Sequence, residues 1–219
     1  MRSTFKSFLN KVNHFYPKKG LLLDVGAATG FFMGMAKEDG WQVKGVEISS
    51  WAAQAGRDSG LDVVTGLIED GNFKAEEFDA VTFWDVFEHV PNPRVELKNV
   101  SKIMKPSGVL AMNMPDGGSL YARLMGSRWH SFVPPEHLNY FNPKSLRMML
   151  ESEGFEVLTI GKIGKRFTIQ YIFQMLARWQ GLAIWRWFAA RAKNYSWGRW
   201  YIPINLRDNV FVVARKKSV

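Results

Sequence analysis

The chain has no cysteine in its 219 residues, and that absence excludes a disulfide framework, a thiolate zinc site and a cysteine nucleophile. Long uncharged apolar runs are also missing, and none reaches the roughly 20 residues needed to span a bilayer. The opening stretch, MRSTFKSFLNKVNHFYPKKG, is interrupted by polar groups throughout and has no small-residue cleavage site, so it does not read as a secretory signal. A cytoplasmic location is the expectation. Acidic residues are scarce in one place only. From Gly164 onward eleven basic residues stand against a single acid, Asp208, whereas the first 163 residues carry 18 basic and 19 acidic groups. All of the excess in the formal charge of +9 therefore sits in the last quarter.

Two phosphate-binding signatures are absent as well. Neither GxGxxG nor GxxxxGK[ST] occurs, which argues against a dinucleotide or a nucleoside triphosphate in a cradle of those types. What is present is a length suited to one α/β domain, enough to bury most of its apolar surface without cross-links. The stretch Leu21–Phe32, LLLDVGAATGFF, reads as a short buried strand, a tight turn of small residues and the start of a helix. Glycine at 26 and 30 lets the backbone adopt dihedrals closed to other residues and lets a ligand approach closely. The helix opening near Phe31 would aim unpaired N–H groups at the turn. The next strand, Trp41–Ile48, ends on Glu47, placed to accept hydrogen bonds from both hydroxyls of a ribose. A nucleoside-bearing cofactor is expected.

Asp24, Gly26 and Gly30 match the first motif of the class I S-adenosylmethionine-dependent methyltransferases, and the chain resembles that family, with Ala28 where its middle glycine usually stands. The resemblance is strongest at FDAVTFW (Phe78–Trp84) followed by DVFEHVPNP, which is similar to the branch that includes quinone and small-molecule O-methyltransferases. It continues through the KPSG turn at 105–108, Pro115, and PPEHLNYFNPKSLRMMLESEGFEV at Pro134–Val157. The resemblance implies a Rossmann-like α/β fold of seven mostly parallel strands sandwiched by helices, with strand seven antiparallel. It implies S-adenosylmethionine as cofactor, S-adenosylhomocysteine as product, and a contact set of Asp24, Gly26, Ala27, Ala28, Gly30, Phe31, Glu47, Ile48, Leu67, Ile68, Glu69, Trp84, Asp85, Val86 and His89. Glu69 or Asp70 would meet the adenine amino group, and Trp84, Asp85 and Val86 would line the methionine end.

In chain order, 1–19 reads as an amphipathic helix with Phe5, Phe8, Leu9, Val12 and Phe15 on one face, packed on the sheet edge or over the cofactor cleft. Residues 20–163 form the cofactor-binding core of a single domain spanning 1–219. Helices are expected at Phe31–Asp39, Trp51–Asp58 behind a Ser49 or Ser50 cap, Pro93–Met104, and Pro143–Glu153 behind Asn142. Further strands are expected at Leu61–Thr65, Val109–Met114 and Phe155–Gly161. Asp116–Val133 reads as a long irregular, substrate-facing stretch. Residues 164–207 then intervene as a helical insertion rich in tryptophan and arginine before a last strand in 208–217.

Three acceptor-side candidates stand out: His137, His89 and Tyr140. A histidine titrates near neutrality and can serve as general base for a hydroxyl; His137 is the better candidate base and reads equally well as a structural residue, whereas His89 reads more readily as a loop support. No metal is expected. The insertion reads either as a lid whose tryptophans are core or as a surface for anionic membrane, which would suit a small or lipid-linked acceptor; nucleic acid fits less well, because the charges are spread along a hydrophobic stretch. Two alternatives stay open: a non-catalytic cofactor-binding module that recruits a partner, and an RNA methyltransferase.

Overall fold

The computed structural model describes residues 2–217, without the side chains of 164–167, 178–179, 201 and 203–206. Lys165, Arg166, Arg178 and Trp179, grouped above with the cationic stretch, therefore have side chains outside the described residues. Seven strands form one sheet: β1 (Leu21–Val25), β2 (Gln42–Glu47), β3 (Asp62–Thr65), β4 (Phe78–Trp84), β5 (Met104–Pro115), β6 (Phe155–Thr168) and β7 (Tyr201–Lys216). Their order is β3-β2-β1-β4-β5-β7-β6. Neighbouring strands run parallel from β3 to β5, and β7 pairs antiparallel with both β5 and β6. The strand order reverses between β1 and β4, so ligands are expected beyond the carboxyl ends of those two strands.

Alternation along the central strands builds a core on each face of the sheet. Val81, Phe83, Leu110, Met112, Val210 and Val212 point to one face, where Leu97, Val100 and Ile103 of α4 (Pro93–Ile103) and Leu146 and Leu150 of α6 (Pro143–Ser152) cover them. Ala80, Trp84, Val109, Ala111, Phe211 and Val213 point to the other, under Phe8, Leu9 and Val12 of α1 (Arg2–Phe15) and Phe32 of α2 (Phe31–Glu38). Each large apolar side chain buried in this way contributes about 1.5–3 kcal/mol. The helix α1 thus lies on a sheet face rather than at its edge. Local capping sets the helix starts: Ser49 accepts the Ala52 amide before α3 (Ser50–Asp58), Asn92 precedes Pro93, and Asn142 accepts the Lys144 and Ser145 amides.

Three stretches differ from the expectations. β5 begins at Met104, and the KPSG segment is an irregularity within its pairing to β4, with Ser107 left-handed. Inside Asp116–Val133, Ser119 caps a helix, α5 (Leu120–Met125). β6 and β7 outrun the expected strands and pair from Phe155↔Lys216 out to Thr168↔Tyr201. The helical insertion is correspondingly shorter, consisting of α7 (Ile169–Gln180), α8 (Ala183–Asn194) and a turn at Ser196–Arg199. Gly181, left-handed at the end of α7, makes the hairpin turn. Among the described residues no helix is long and apolar enough to cross a membrane.

Candidate active site

The turn after β1 takes its shape from three left-handed residues: Gly26 (φ 72°), Ala28 (φ 48°) and Gly30 (φ 81°). Glu47, at the tip of the neighbouring β2, ties this turn down. Its Oε2 accepts the Ala28 amide and its Oε1 accepts the Ser49 amide, each at 2.8 Å. A carboxylate offers about four lone-pair directions, so both oxygens keep capacity for two further donors. Gly30 precedes α2 without any side-chain cap, leaving the first amides of that helix available. Asp24 is buried in β1 and accepts the Thr82 hydroxyl at 2.7 Å; burial pushes its carboxyl up to about 7, the Thr82 bond pulls the other way, and the charge of Glu47 adds to the rise.

Around this turn the surface is unusually apolar. Ile48 is 73% exposed, Leu67 56% and Phe31 42%, at the ends of β2 and β3 and the start of α2. Isolated exposed apolar residues need no explanation, but three at the carboxyl ends of adjacent elements beside a fixed carboxylate suit a planar base above a ribose. Ile68 by contrast is packed into the core, and Glu69 turns toward α4, where it accepts from Asn99 Nδ2 at 2.6 Å. Asp70 accepts the Leu67 amide and shapes the turn.

At the tip of β4, Asp85 is left-handed at φ 55° and is held by the Asn113 side chain, which donates to its Oδ1 at 2.9 Å. A non-glycine residue in this region stores strain, as residues at working sites often do. Val86 packs directly over Gly26, where a Cβ would collide with it. Trp84 sits in a cluster with Phe8, Phe32 and Phe211, and its buried Nε1 has no hydrogen-bond partner among the described residues. A Glu47 with spare lone pairs, an uncapped helix start and an orphaned indole donor fit a ligand carrying both a ribose and a polar, anionic tail.

The third part of the site comes from the segment before α6. The Leu138 and Asn139 amides both donate to the Glu88 carbonyl at 3.0 Å, and Asn139 Nδ2 donates to the Val90 carbonyl at 2.7 Å. These bonds bring His137 against His89, ring centroids 4.7 Å apart. The ring row continues from His137 to Tyr140 at 6.3 Å and from Tyr140 to Phe132 at 5.4 Å and Trp129 at 6.2 Å. Burial and the neighbouring His89 hold His137 below the usual histidine range, against the hydrogen bond to Ser131 and the charges of Glu136 and Asp85.

Phe132 and Trp129 in turn line a cavity of about 430 Å³ closed on the far side by Tyr171, Gln174 and Met175 of α7. Asp208 anchors its floor, accepting the Trp129 indole N–H at 3.0 Å with His130 at 3.6 Å. One wall comes from the stretch Asp116–Val133 expected to face substrate, whereas the other comes from α7 about forty residues further on, a pairing for which the sequence contained no signal.

Comparison with known proteins agrees with this architecture. Residues 1–160 match the model of a family described as a methyltransferase domain. An uncharacterized protein of Methanocaldococcus jannaschii is 27% identical over 69% of this chain and 72% of its own. A ubiquinone biosynthesis O-methyltransferase of Vibrio atlanticus is 26% identical over 69% of each. The crystal structure of an S-adenosylmethionine-dependent methyltransferase from Archaeoglobus fulgidus superimposes with a TM-score of 0.67 at 20% identity, covering 99% of this chain and 95% of that one. With the seven-stranded sheet and the turn after β1, these matches place the chain in the methyltransferase-domain family, as a class I S-adenosylmethionine-dependent methyltransferase.

Proposed function

We propose that the protein transfers the methyl group of S-adenosylmethionine to a hydroxyl on a small or lipid-linked acceptor, and that residues 1–219 work as one domain for this purpose. The cofactor supplies a methyl group already activated on a sulfonium sulfur. The protein's task is then alignment and exclusion of water. In this reading Glu47 takes the ribose hydroxyls, the Gly26–Gly30 turn with Asp24, Ala27 and Ala28 supports the sugar and tail, Ile48 and Leu67 flank the base, and Phe31 closes its edge. The Ile68 and Glu69 contacts become backbone contacts, because the side chains are occupied elsewhere. Trp84, Asp85 and Val86 border the tail, and His89, His137 and Tyr140 face the acceptor.

The observation that carries the acceptor side is the unbroken row of rings from His89 and His137 through Tyr140 to the cavity under α7. Such a row, leading to walls that mix aromatic and aliphatic side chains with Arg128 and Gln174, suits an amphipathic acceptor whose reacting oxygen ends at the histidines. The helical hairpin supports a membrane source for it. Phe173 stacks on Trp185 and Phe188 as the hairpin's own core, while Leu182, Ile184, Trp187 and Trp200 are at least half exposed. No acid occurs between Glu156 and Asp208, so this face offers apolar side chains among cations to an anionic bilayer surface. The O-methyltransferase name of the Vibrio atlanticus relative favours oxygen over nitrogen.

Incubation with tritium-labelled S-adenosylmethionine, a total bacterial lipid extract and total RNA, followed by phase separation, tests the reading. Label in the organic phase supports it. Label confined to RNA would make the protein an RNA methyltransferase, and no label in any fraction despite S-adenosylhomocysteine binding would favour the non-catalytic alternative.

A further inference from the structure

We infer that Glu88, His89 and His137 form a binding site for one divalent transition-metal ion, at the acceptor end of the cleft. One ligand atom from each of the three lies within 4.8 Å of those of the other two. The two histidines are held in a way that suits a metal. His89 Nδ1 lies 2.7 Å from the Glu136 carbonyl and His137 Nδ1 lies 2.8 Å from the Ser131 carbonyl. A carbonyl oxygen only accepts, so both Nδ1 atoms carry the proton and both Nε2 atoms keep their lone pairs. Tautomer selection by a backbone carbonyl is the usual support of a metal-bound imidazole.

The carboxylate is equally constrained. Glu88 is 2% exposed, in a short turn directly after β4, and its main-chain carbonyl is clamped by the amides of Leu138 and Asn139. The same clamp brings His137 to its neighbours, so the three ligands come from two segments fixed to one another. Two neutral imidazoles and one carboxylate are a donor set for zinc, iron(II), cobalt(II) or manganese(II) rather than for magnesium or calcium, which favour all-oxygen shells. Bonds of about 2.1 Å would place the donor atoms about 3–4 Å apart, inside the 4.8 Å span within which the three already lie. Three protein ligands leave a coordination position open for an acceptor oxygen.

The inference rests on the methyl-transfer reading only for the metal's use. An acceptor hydroxyl that coordinates there releases its proton to water, and the oxygen's lone pair then forms the new bond to the methyl carbon as the methyl–sulfur bond breaks toward sulfur. The ion in this role replaces a general base, and His137 holds the ion rather than taking the proton.

The test uses the full chain, stripped with a chelator, dialysed and titrated with cobalt(II) chloride while visible d–d absorption is followed. The expected result is one equivalent bound with strong visible bands, an affinity at least tenfold weaker in His137→Gln and in Glu88→Gln, and no change in His14→Gln, whose histidine is exposed on α1. Absent bands, or equal affinity in His137→Gln, would overturn the site. Should the variants unfold, proton NMR of the wild type decides: cobalt must shift the imidazole signals of two of the four histidines, and shifts at His14 or at none would overturn it. Calorimetry of S-adenosylhomocysteine on the stripped protein separates the two readings, since binding there stands whether or not the metal does.

Discussion

Glu47 reaches from the end of β2 to accept the amide of Ala28 at 2.8 Å, so the carboxylate proposed to take the ribose hydroxyls also fixes the turn beneath it. Ala28 is held at φ 48° by this bond, a conformation that costs an L-residue roughly 1–2 kcal/mol. Ala28→Gly removes that strain but adds freedom to the unfolded chain worth about 0.4–1 kcal/mol. Its stability should therefore be equal to or up to about 1.6 kcal/mol above the wild type's in urea unfolding. Ala28→Val, with a branched Cβ in the same conformation, should lose at least about 1 kcal/mol more than the alanine already costs.

The pH dependence of the free protein follows from one buried and one half-buried carboxyl. Asp24 and Glu96 are both raised to about 7, chiefly by burial; the charge of Glu69 adds to the rise at Glu96. A carboxyl whose folded pKa lies above its unfolded value favours the fold while protonated. Stability from these groups is thus greatest below about pH 4 and is lost as pH rises toward 7. Glu96→Gln should raise the melting temperature at pH 8, with a gain of about 1 kcal/mol after discounting for its partial exposure, and should change it little at pH 4. A gain that is larger at pH 4 than at pH 8 would reverse the sign.

Met175 lies in the wall that α7 gives to the cavity. Met175→Trp fills much of that space without touching the turn after β1. Turnover of the organic-phase acceptor should fall at least tenfold through KM, while S-adenosylhomocysteine affinity measured by calorimetry stays within twofold.

The hairpin makes a separate prediction. Flotation with vesicles containing acidic phospholipid should exceed flotation with neutral vesicles and should weaken as salt screens the arginines. Trp187→Ala with Trp200→Ala should reduce the bound fraction about tenfold, because both indoles are at least half exposed and Trp187 meets the hairpin's core only edge-on, at Phe188. Equal flotation on neutral and acidic vesicles, or none on either, would leave the hairpin without this role.

The elements legible in the sequence are those set by local chemistry. The strand–turn–helix around Gly26, the caps at Ser49 and Asn142, and the apolar run of β4 all announce themselves within about ten residues. The outer halves of β6 and β7 do not, because Gly164 and Pro203 fall in the stretch that reads as a helical insertion and only the pairing of the two strands with each other makes them extended. The site divides in the same way. Glu47 beside the turn was visible from spacing, whereas Glu69 was drawn off by Asn99 and Ile68 by the core, competitors that only the fold supplies. The meeting of His89 with His137 depends on main-chain bonds to Glu88 from a segment about fifty residues away, and no local pattern encodes it.

A crystal structure of the protein with S-adenosylhomocysteine measures the central relationship directly. Both ribose hydroxyls should lie within about 3 Å of the Glu47 carboxylate oxygens, with the sulfur directed toward Asp85 and His137. A ribose bound away from Glu47, with that side chain still engaged only by Ala28 and Ser49, would contradict the assignment of this turn as the adenosyl-binding site.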